Sequence, residues 1–322
     1  MIIRERYKQF VEGLDRMTDG QYTNFQKKKL FMDFLWTKLT RKTYLIDYLQ
    51  YEFFKRNNLS RKSFMEYNKL HKLIDQVNNK DKEEIFNSKV LFNETFKDYL
   101  NRDWLEIQDT SLEQFKKFVS SHDKIIIKPE EGSFGIGIEI FETKDLNVED
   151  LYNRIKDYKY LVEAVVKQHE DLKAFNESTL NTLRMVTMVD SKGIPHVQDA
   201  ILRIGRKGKH SDNFHNQGLA CVVDVNEGIV YTIAKDKDYN RYLKHPDSGK
   251  LIIGFKLPVW DKVIERCKEL ALVVPDVRYV GWDIAIDENG EIVCIEGNYS
   301  ADPDASQAID QIGKYEKYSK LI

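Results

Sequence analysis

The chain has 322 residues, with 50 Lys and Arg against 52 Asp and Glu and a formal net charge of −2. At about 150 residues per domain, this length allows two domains or one elaborate domain. A charged fraction of 32% beside 42% hydrophobic residues excludes a disordered chain. Because the charges balance, composition gives no reason to expect a nucleic-acid partner.

The ends and the cysteines indicate where the protein works. The start, MIIRERYKQF, has neither the apolar run nor the cleavage site of a secretory signal. No stretch approaches the roughly eighteen consecutive apolar residues of a membrane-spanning helix. Cys221, Cys267 and Cys294 are an odd number without a CxxC pair, which favours a reducing compartment. We therefore expect a cytoplasmic protein with no transmembrane segment.

Glycine and proline are unevenly distributed along the chain. All six prolines and 14 of the 16 glycines lie at or beyond residue 129. Because these residues mark turns and hairpins, the asymmetry predicts helices before residue 129 and a turn-rich, sheet-containing body after it. Residues 21–90 have apolar side chains at helical spacing and carry 15 Lys and Arg against 8 Asp and Glu. This pattern favours helices whose basic face is solvated and whose other face packs on an aromatic core. It leaves open a weak contact with an anionic membrane surface.

Short β-rich runs follow residue 112. They lie at 125–128, 138–141, 183–189, 197–204, 219–225, 229–233, 280–286 and 291–296. Helical stretches are predicted near 147–157, 259–272 and 305–319. The strands come in hairpins more than in strand-helix-strand units, so the pattern predicts an α+β fold with antiparallel sheets.

A glycine-rich connection follows the first of these strands. In KPEEGSFGIGIEIF, Lys128 ends one β-run and Gly132, Gly135 and Gly137 lead into the next. A Rossmann or Walker loop would lead into a helix, whereas residues 138–141 have the pattern of a strand. Such a hairpin can cover the phosphates of a nucleotide, and Lys128 would add positive charge there. An ordinary hairpin remains the alternative.

The segment GWDIAIDENGEIVCIEGN, residues 281–298, places two acids opposite each other. Asn289-Gly290 is typical of a two-residue type I′ hairpin, and pairing counted from it sets Asp283 opposite Glu296, with Asn298 on the same face. The opposite face is apolar and contains Ile284, Ile286, Val293 and Ile295. Two carboxylates at about 5 Å repel each other unless a cation lies between them. Their oxygens, with an amide, suit Mg²⁺ or Mn²⁺. A solvent-exposed face with tolerated like charges is the alternative.

Together these motifs resemble the ATP-grasp superfamily, and most closely its sugar-transfer associated branch. The resemblance covers about residues 85 to 300 and is carried by KPEEGSFGIGI, LVEAVVKQHEDL, NTLRMVTMV, LRIGRKGKHSDNFHNQGL, HPDSG, LPVW and VGWDIAI…IEGN. It implies two α+β subdomains that clasp ATP. We expect a helical N-terminal region at 1–85, a small subdomain with the glycine-rich flap at 86–165, and a large subdomain with the metal site at 166–322.

The resemblance also implies roles for individual residues. Those for the nucleotide are Lys89 and Lys128 at the phosphates, Gly132, Ser133, Gly135 and Gly137 in the flap, and Glu163 to Val166 at the adenine edge. Either Glu170 or Asp171 meets the ribose, and we favour Asp171. The magnesium ligands are Asp283, Glu296 and Asn298. The γ-phosphate and acceptor region holds Arg184, Arg203, Arg206, Asn213 and His215.

The function implied is an ADP-forming carboxylate-amine ligase that uses ATP and Mg²⁺ and proceeds through an acyl phosphate. The family context points to small substrates, an amino acid or a sugar acid, used in cell-surface polysaccharide synthesis. Two alternatives remain open. One is a phosphotransferase acting on a hydroxyl or a sugar, and the other is a non-catalytic scaffold that binds a nucleotide.

Overall fold

The structure, a computed structural model, describes residues 2–130, 137–208, 212 and 217–322. Its N-terminal part is helical. The helices there are α1 Ile2–Thr18, α2 Asn24–Arg41, α3 Leu45–Gln50, α4 Asn58–Lys62, α5 Tyr67–Val77, α6 Glu83–Asn87 and α7 Lys89–Thr95, with 3₁₀ turns at Phe53–Lys55, Lys80–Lys82 and Lys97–Tyr99. This confirms the predicted helical region.

Local sequence explains where α2 begins and ends. Thr23 and Gln26 form a reciprocal capping box at its start, and Lys42 ends it in the left-handed conformation with φ 60°. The buried face of α2 presents Phe31 and Phe34 to an aromatic cluster that also contains Phe10, Tyr48, Tyr51, Phe53 and Phe64. The N-terminal helices therefore have the aromatic core that their spacing predicts.

A four-stranded sheet follows. Its strands are β1 Trp104–Glu106, β2 Lys124–Pro129, β3 Glu139–Glu142 and β4 Tyr160–Ala164, in the order β1-β4-β2-β3. Helices α8 Leu112–Ser120 and α9 Val148–Ile155 supply Phe115, Val119, Leu151 and Ile155 to the core beneath it. The glycine asymmetry predicted only helix before the run at 125–128, and β1 shows that this expectation was too simple.

A seven-stranded sheet forms the rest of the body. Its strands are β5 Thr182–Val189, β6 Pro195–Ile204, β7 Leu219–Val222, β8 Ala234–Lys235, β9 Arg241–Tyr242, β10 Tyr279–Ile286 and β11 Ile292–Asn298, in the order β11-β10-β5-β6-β7-β8-β9. The short α10 Glu170–Lys173 precedes β5, and α11 Trp260–Val273 packs against β5 and β6. Every strand pair described in both sheets is antiparallel, so the predicted α+β class is confirmed.

Two local predictions in this body were wrong. The run at 229–233 is not a strand: Ile229 and Val230 form only isolated bridges, and the Val230 N–H donates to the carbonyl of Phe255 in a neighbouring loop (2.9 Å). The helical stretch at 305–319 is two helices, α12 Asp304–Asp310 and α13 Tyr315–Ser319. Gln311, with φ 61°, ends the first of them.

The β10–β11 hairpin confirms the key pairing but reaches it by a different turn. Asp283 does lie opposite Glu296, whereas Ile286 lies opposite Ile292, one residue off the predicted count. The loop closes with the Asp287 N–H bonded to the Glu291 carbonyl (3.0 Å), and Gly290 has φ 77°. This is a three-residue loop with a left-handed glycine, not a type I′ turn.

A bulge between Asp283 and Ile284 then shifts the register back by one residue. Ile284 consequently pairs with Cys294, where the sequence predicted Ile295, and both Ile284 and Cys294 enter the large core.

No helix in the described part of the chain is long and apolar enough to cross a bilayer.

Candidate functional site

Asp283 lies at the centre of a charged group on the large sheet. Its side chain is buried, with the residue 4% exposed, and β10 places it between Arg184 on β5 and Glu296 on β11. Arg184 Nε lies 2.6 Å from Oδ1, and Arg203 Nη2 lies 2.7 Å from Oδ2. Burial alone would raise the pKa of Asp283, but these two guanidinium groups outweigh it and lower the pKa. Asp283 is therefore held as a carboxylate.

Glu296 faces Asp283 across the ladder and is exposed to solvent. Crowding by protein atoms raises the pKa of Glu296, and the charge of Asp283 adds to this effect while Arg184 opposes it. Asn298 follows on the same strand, exposed, with its side-chain oxygen accepting the N–H of Ser300 at 2.9 Å. The structure thus brings together the three residues predicted as metal ligands on neighbouring strands.

The chemistry of these donors fits a hard divalent cation. Asp283 Oδ1 and Arg184 Nε are close, but neither has a partner in hydrogen-bond geometry although both are buried. A buried polar atom left in this way costs about 1–3 kcal/mol, which an additional ligand would offset. The described residues contain no cluster of three His, Cys, Asp or Glu placed for a metal. The candidate donors are two carboxylates and one amide, all of them oxygen ligands of the kind that Mg²⁺ takes.

Arg203 is fixed by a network that the sequence analysis missed in part. Thr182 Oγ1 accepts from Arg203 Nε at 2.9 Å and donates to Asp212 Oδ2 at 2.5 Å. Burial lowers the pKa of Arg203, but Asp283 and Asp212 outweigh it and raise the pKa. Asp212 was not among the predicted site residues. The sequence feature that could have indicated Asp212 is its position as an isolated acid in the basic segment RKGKHSDN.

The small sheet carries Lys128 on β2. Its Nζ lies 2.6 Å from Glu163 Oε2, and Arg102 Nη2 lies 2.9 Å from Glu163 Oε1. Burial alone would raise the pKa of Glu163, yet Arg102 and Lys128 hold it well below its usual range. The strand predicted for the adenine edge therefore carries a buried, ionised acid that orients Lys128. Its contact with adenine stays a prediction.

Arg102 is a second residue that the sequence analysis missed. Besides Glu163, its guanidinium contacts the backbone carbonyls of Cys294 and Ile295 at the bulge of β11, the latter at 3.0 Å. It thereby links the small sheet to the strand that carries Glu296. These partners are 61 to 193 residues away in the chain, so no local pattern indicated the role.

Lys89 begins α7, where Ser88 is the N-cap. Its Nζ donates to the backbone carbonyl of Glu130 at 2.8 Å, next to the glycine-rich connection. Burial lowers the pKa of Lys89, with Glu296 opposing the shift and Lys128 adding to it. The charges of Lys128 and Glu296 thus both act on the Lys89 ammonium group.

The remaining predicted residues are less closely joined to this group. Gly137 is described and has φ 77°, a conformation that favours glycine, whereas Gly132, Ser133, Gly135, Asn213 and His215 lie outside the described residues. Val166 is half-buried after β4. Arg206 makes an ion pair with Asp247, its Nε lying 3.0 Å from Oδ2.

The two candidates for the ribose both lie in α10. Asp171 Oδ2 is 3.7 Å from His169 Nδ1, and Glu170 Oε1 is 3.3 Å from Lys173 Nζ. Both carboxylates are exposed. The preference for Asp171 therefore stays a prediction.

Two antiparallel sheets, with Lys128 on the smaller and the facing acids Asp283 and Glu296 on the larger, have the architecture predicted for the ATP-grasp class. The family model for sugar-transfer associated ATP-grasp proteins matches residues 68–314, more than half of the chain. The chain belongs to this family. Comparison with curated proteins finds no significant match.

Solved structures with a similar fold are ATP-grasp ligases. The N5-carboxyaminoimidazole ribonucleotide synthetase purK in its ADP complex has a TM-score of 0.50 at 11% identity, over 81% of this chain and 58% of that one. The ligase PsnB with a minimal precursor has a TM-score of 0.49 at 16% identity, over 76% and 63%. The D-alanyl-alanine synthetase A of Vibrio cholerae has a TM-score of 0.41 at 14% identity, over 66% and 55%. The chain thus spans less than two thirds of each of these proteins. At 11% identity, the comparison with purK shows a likeness of fold alone.

Proposed function

We propose that the protein is an ATP- and Mg²⁺-dependent ligase that joins a carboxylate to an amine and releases ADP and phosphate. Membership of an ATP-grasp family supports the use of ATP. The observation that carries the proposal is the convergence of Arg184 and Arg203 on Asp283, with Glu296 directly opposite. Fixed positive charge beside paired carboxylates is what phosphoryl transfer requires of a protein.

In the first step, Lys89 and Lys128 bind the phosphates of ATP, and the flap of Gly132, Ser133, Gly135 and Gly137 covers them. An oxygen of the substrate carboxylate attacks the γ-phosphorus while the bond from that phosphorus to ADP breaks. The product is an acyl phosphate. Arg203 and Arg184 neutralise the negative charge that develops on the transferred group.

In the second step, the amine attacks the acyl carbon and phosphate leaves with the electrons of the C–O bond. The nitrogen loses a proton, for which His215 is the candidate base, and Asn213 lies in the same acceptor segment. No covalent bond to the protein is formed in either step.

The nucleotide's other contacts follow from the family resemblance. Asp283, Glu296 and Asn298 would hold Mg²⁺ or Mn²⁺, which supplies Lewis-acid neutralisation of the phosphate charge when bound. The strand from Glu163 to Val166 would meet the adenine edge. Asp171, or its neighbour Glu170, would accept hydrogen bonds from the ribose hydroxyls.

The family name and the cysteines support a setting for this reaction. The family's association with sugar transfer favours an amino acid or a sugar acid as the substrate. It also favours cell-surface polysaccharide synthesis as the pathway. All three cysteines are buried and unpaired, which supports a cytoplasmic location.

One helix face supports a weak contact with a membrane surface. Four large apolar side chains of α2 are exposed on one stripe, namely Phe25 (79%), Met32 (64%), Trp36 (63%) and Leu39 (82%). The same helix carries five basic residues and one acid. An apolar stripe with basic neighbours is suited to the interface of an anionic bilayer.

The proposal is tested by product analysis. Candidate amino acids and uronic acids are incubated with ATP, Mg²⁺ and hydroxylamine, and both ADP and hydroxamate are measured. We expect the two products to form together, since hydroxylamine traps an acyl phosphate. Asp283→Asn is expected to lower turnover at least about 100-fold, while the control Asp145→Asn, an exposed acid away from the site, leaves it unchanged.

The alternatives predict different products. A stable phosphorylated product without hydroxamate would show a phosphotransferase acting on a hydroxyl or a sugar. ATP turnover that is absent from the wild type, or that Asp283→Asn does not change, would favour the non-catalytic scaffold.

A further inference from the structure

The N-terminal helices contain a basic pocket that the proposed reaction does not use. Its volume is about 370 Å³, and it lies between the end of α2, the end of α4 and the start of α5. Five cations line it: Arg41, Lys42, Lys62, Lys69 and Lys72. The one acid in the lining is Glu66, so the pocket has an excess of positive charge.

Protein contacts already neutralise the acid. Glu66 Oε1 accepts from Arg41 Nη2 and Oε2 accepts from Thr43 Oγ1, both at 2.5 Å. Lys69 Nζ donates to the carbonyls of Lys62 and Phe64, each at 2.7 Å. These bonds fix the floor of the pocket, and Glu66 also pairs with Lys69, whose Nζ lies 3.5 Å from Oε1. The charge of the one acid is thus shared between Arg41 and Lys69.

The other cations are available to a ligand. In the part of the chain that the structure describes, the ammonium groups of Lys42, Lys62 and Lys72 make no hydrogen bond or ion pair, and all three residues are exposed. Arg41 Nη1 is buried, and it too has no hydrogen-bond partner among the described residues. A buried guanidinium nitrogen without an acceptor is unfavourable, and an anion could supply the acceptor.

We infer that this basic pocket binds an anion that carries phosphate groups. Phosphoryl oxygens would accept from Arg41 Nη1 and from the three free ammonium groups, which together suit more than one phosphate. A volume of about 370 Å³ admits a diphosphate with a small organic group. The lining residues share no contact with Lys128 or Asp283 in the described structure, so this site is separate from the proposed ATP site.

The probe for this site is inorganic pyrophosphate, titrated calorimetrically without divalent metal. Lys62→Gln/Lys72→Gln is expected to weaken binding about tenfold or more, because it removes two charge-assisted contacts. Lys117→Gln/Lys156→Gln removes two exposed lysines elsewhere and is expected to change nothing. Because all four lysines are exposed, the variants should keep the wild-type melting temperature.

A third variant separates the pocket from the ATP site. Binding of pyrophosphate to the pocket survives Lys128→Ala and is lost in Lys62→Gln/Lys72→Gln. The opposite pattern, or an equal loss in the Lys117→Gln/Lys156→Gln control, would overturn the inference.

A vesicle arm identifies the source of the phosphate. Phosphatidylglycerol vesicles that bind the wild type but not Lys62→Gln/Lys72→Gln, with no response to free pyrophosphate, assign the group to a lipid head. If neither probe binds, the site does not exist.

Discussion

Arg203 illustrates how partners on two other strands can hold a single side chain in place at once. Its guanidinium contacts Thr182 Oγ1 through Nε and Nη2, and Asp283 through Nη2. A lysine carries the charge but not the planar fork, so it cannot keep both partners. We expect Arg203→Lys to lower ADP release about 100-fold with little change in melting temperature. Turnover within threefold of the wild type would show that charge alone suffices there.

The matched control for that substitution is Arg16→Lys. Arg16 forms an exposed pair with Asp238, its Nη1 lying 3.5 Å from Oδ1. Exposed pairs contribute little, so this variant should retain full turnover.

Asp47 predicts how stability depends on pH. It is 2% exposed, and burial raises its pKa to about 7, with Glu66 adding to the shift and the Tyr67 N–H opposing it. Below pH 4 the group is protonated in both folded and unfolded states. Between about pH 4 and 7 the unfolded chain loses a proton that the folded protein keeps, so its contribution to stability falls as pH rises.

Asp47→Asn should therefore gain stability relative to the wild type at pH 8 and not at pH 4. One pKa unit corresponds to about 1.4 kcal/mol, which sets an upper limit of a few kcal/mol on the gain. Urea unfolding at both pH values measures it, with the exposed Asp145→Asn as control. A gain of the same size at both pH values would point to packing instead of titration.

Substitutions on helix α2 test the proposed contact with a membrane surface. Trp36→Ser/Leu39→Ser removes half of its exposed apolar stripe without touching the buried Phe31 and Phe34. We expect sedimentation with phosphatidylglycerol vesicles to fall several-fold and the melting temperature to hold, because interfacial binding scales with buried apolar area. Substituting the exposed Tyr158 and Ile194 with Ser should leave sedimentation unchanged. If both variants sediment alike, the stripe is not the contact.

The β10–β11 hairpin shows how far the sequence predicts an element. The alternation of polar and apolar residues, with acids at 283 and 296, was enough to predict that these two acids pair. The sequence did not predict the turn type or the bulge, because Asn-Gly fits both a two-residue loop and the second half of a three-residue loop. Here the two errors cancel at Asp283, since the bulge restores the register that the longer loop shifts. The predicted pairing of Asp283 with Glu296 was therefore correct only because the longer loop and the bulge compensate, and the local pattern predicted neither of them.

Long-range contacts mark the limit of prediction across the whole molecule. The family motifs indicated Arg184, Arg203 and Asp283, which the fold brings together. They did not indicate Arg102 or Asp212, whose partners lie on other elements and in other motifs. The division at residues 85 and 165 stays a proposal. Side chains of α5, such as Leu70 and Ile74, belong to the same core as the large sheet, and that contact could not be inferred from helical spacing alone.

The link that Arg102 makes between the two sheets gives a prediction for the whole molecule. Arg102→Met removes one of the two cationic partners of a buried acid, Glu163, and the donors to two carbonyls of β11. Breaking a buried ion pair from one side typically costs about 3–5 kcal/mol when the other charge is left alone. Because Lys128 still pairs with Glu163, the loss should stay below that range. We therefore expect a clear loss of unfolding free energy in urea.

Glu163→Gln distinguishes this electrostatic cause from simple loss of packing. If the incompletely paired charge of Glu163 dominates, adding Glu163→Gln to Arg102→Met should recover part of the lost stability, although Glu163→Gln alone destabilises the protein by freeing Arg102. Lys128, which is 14% exposed at its side chain, remains near enough to solvent to tolerate the change. If the two substitutions instead add in full, the residues act independently, and Arg102 contributes through its contacts to β11 and not through the pair that joins the sheets.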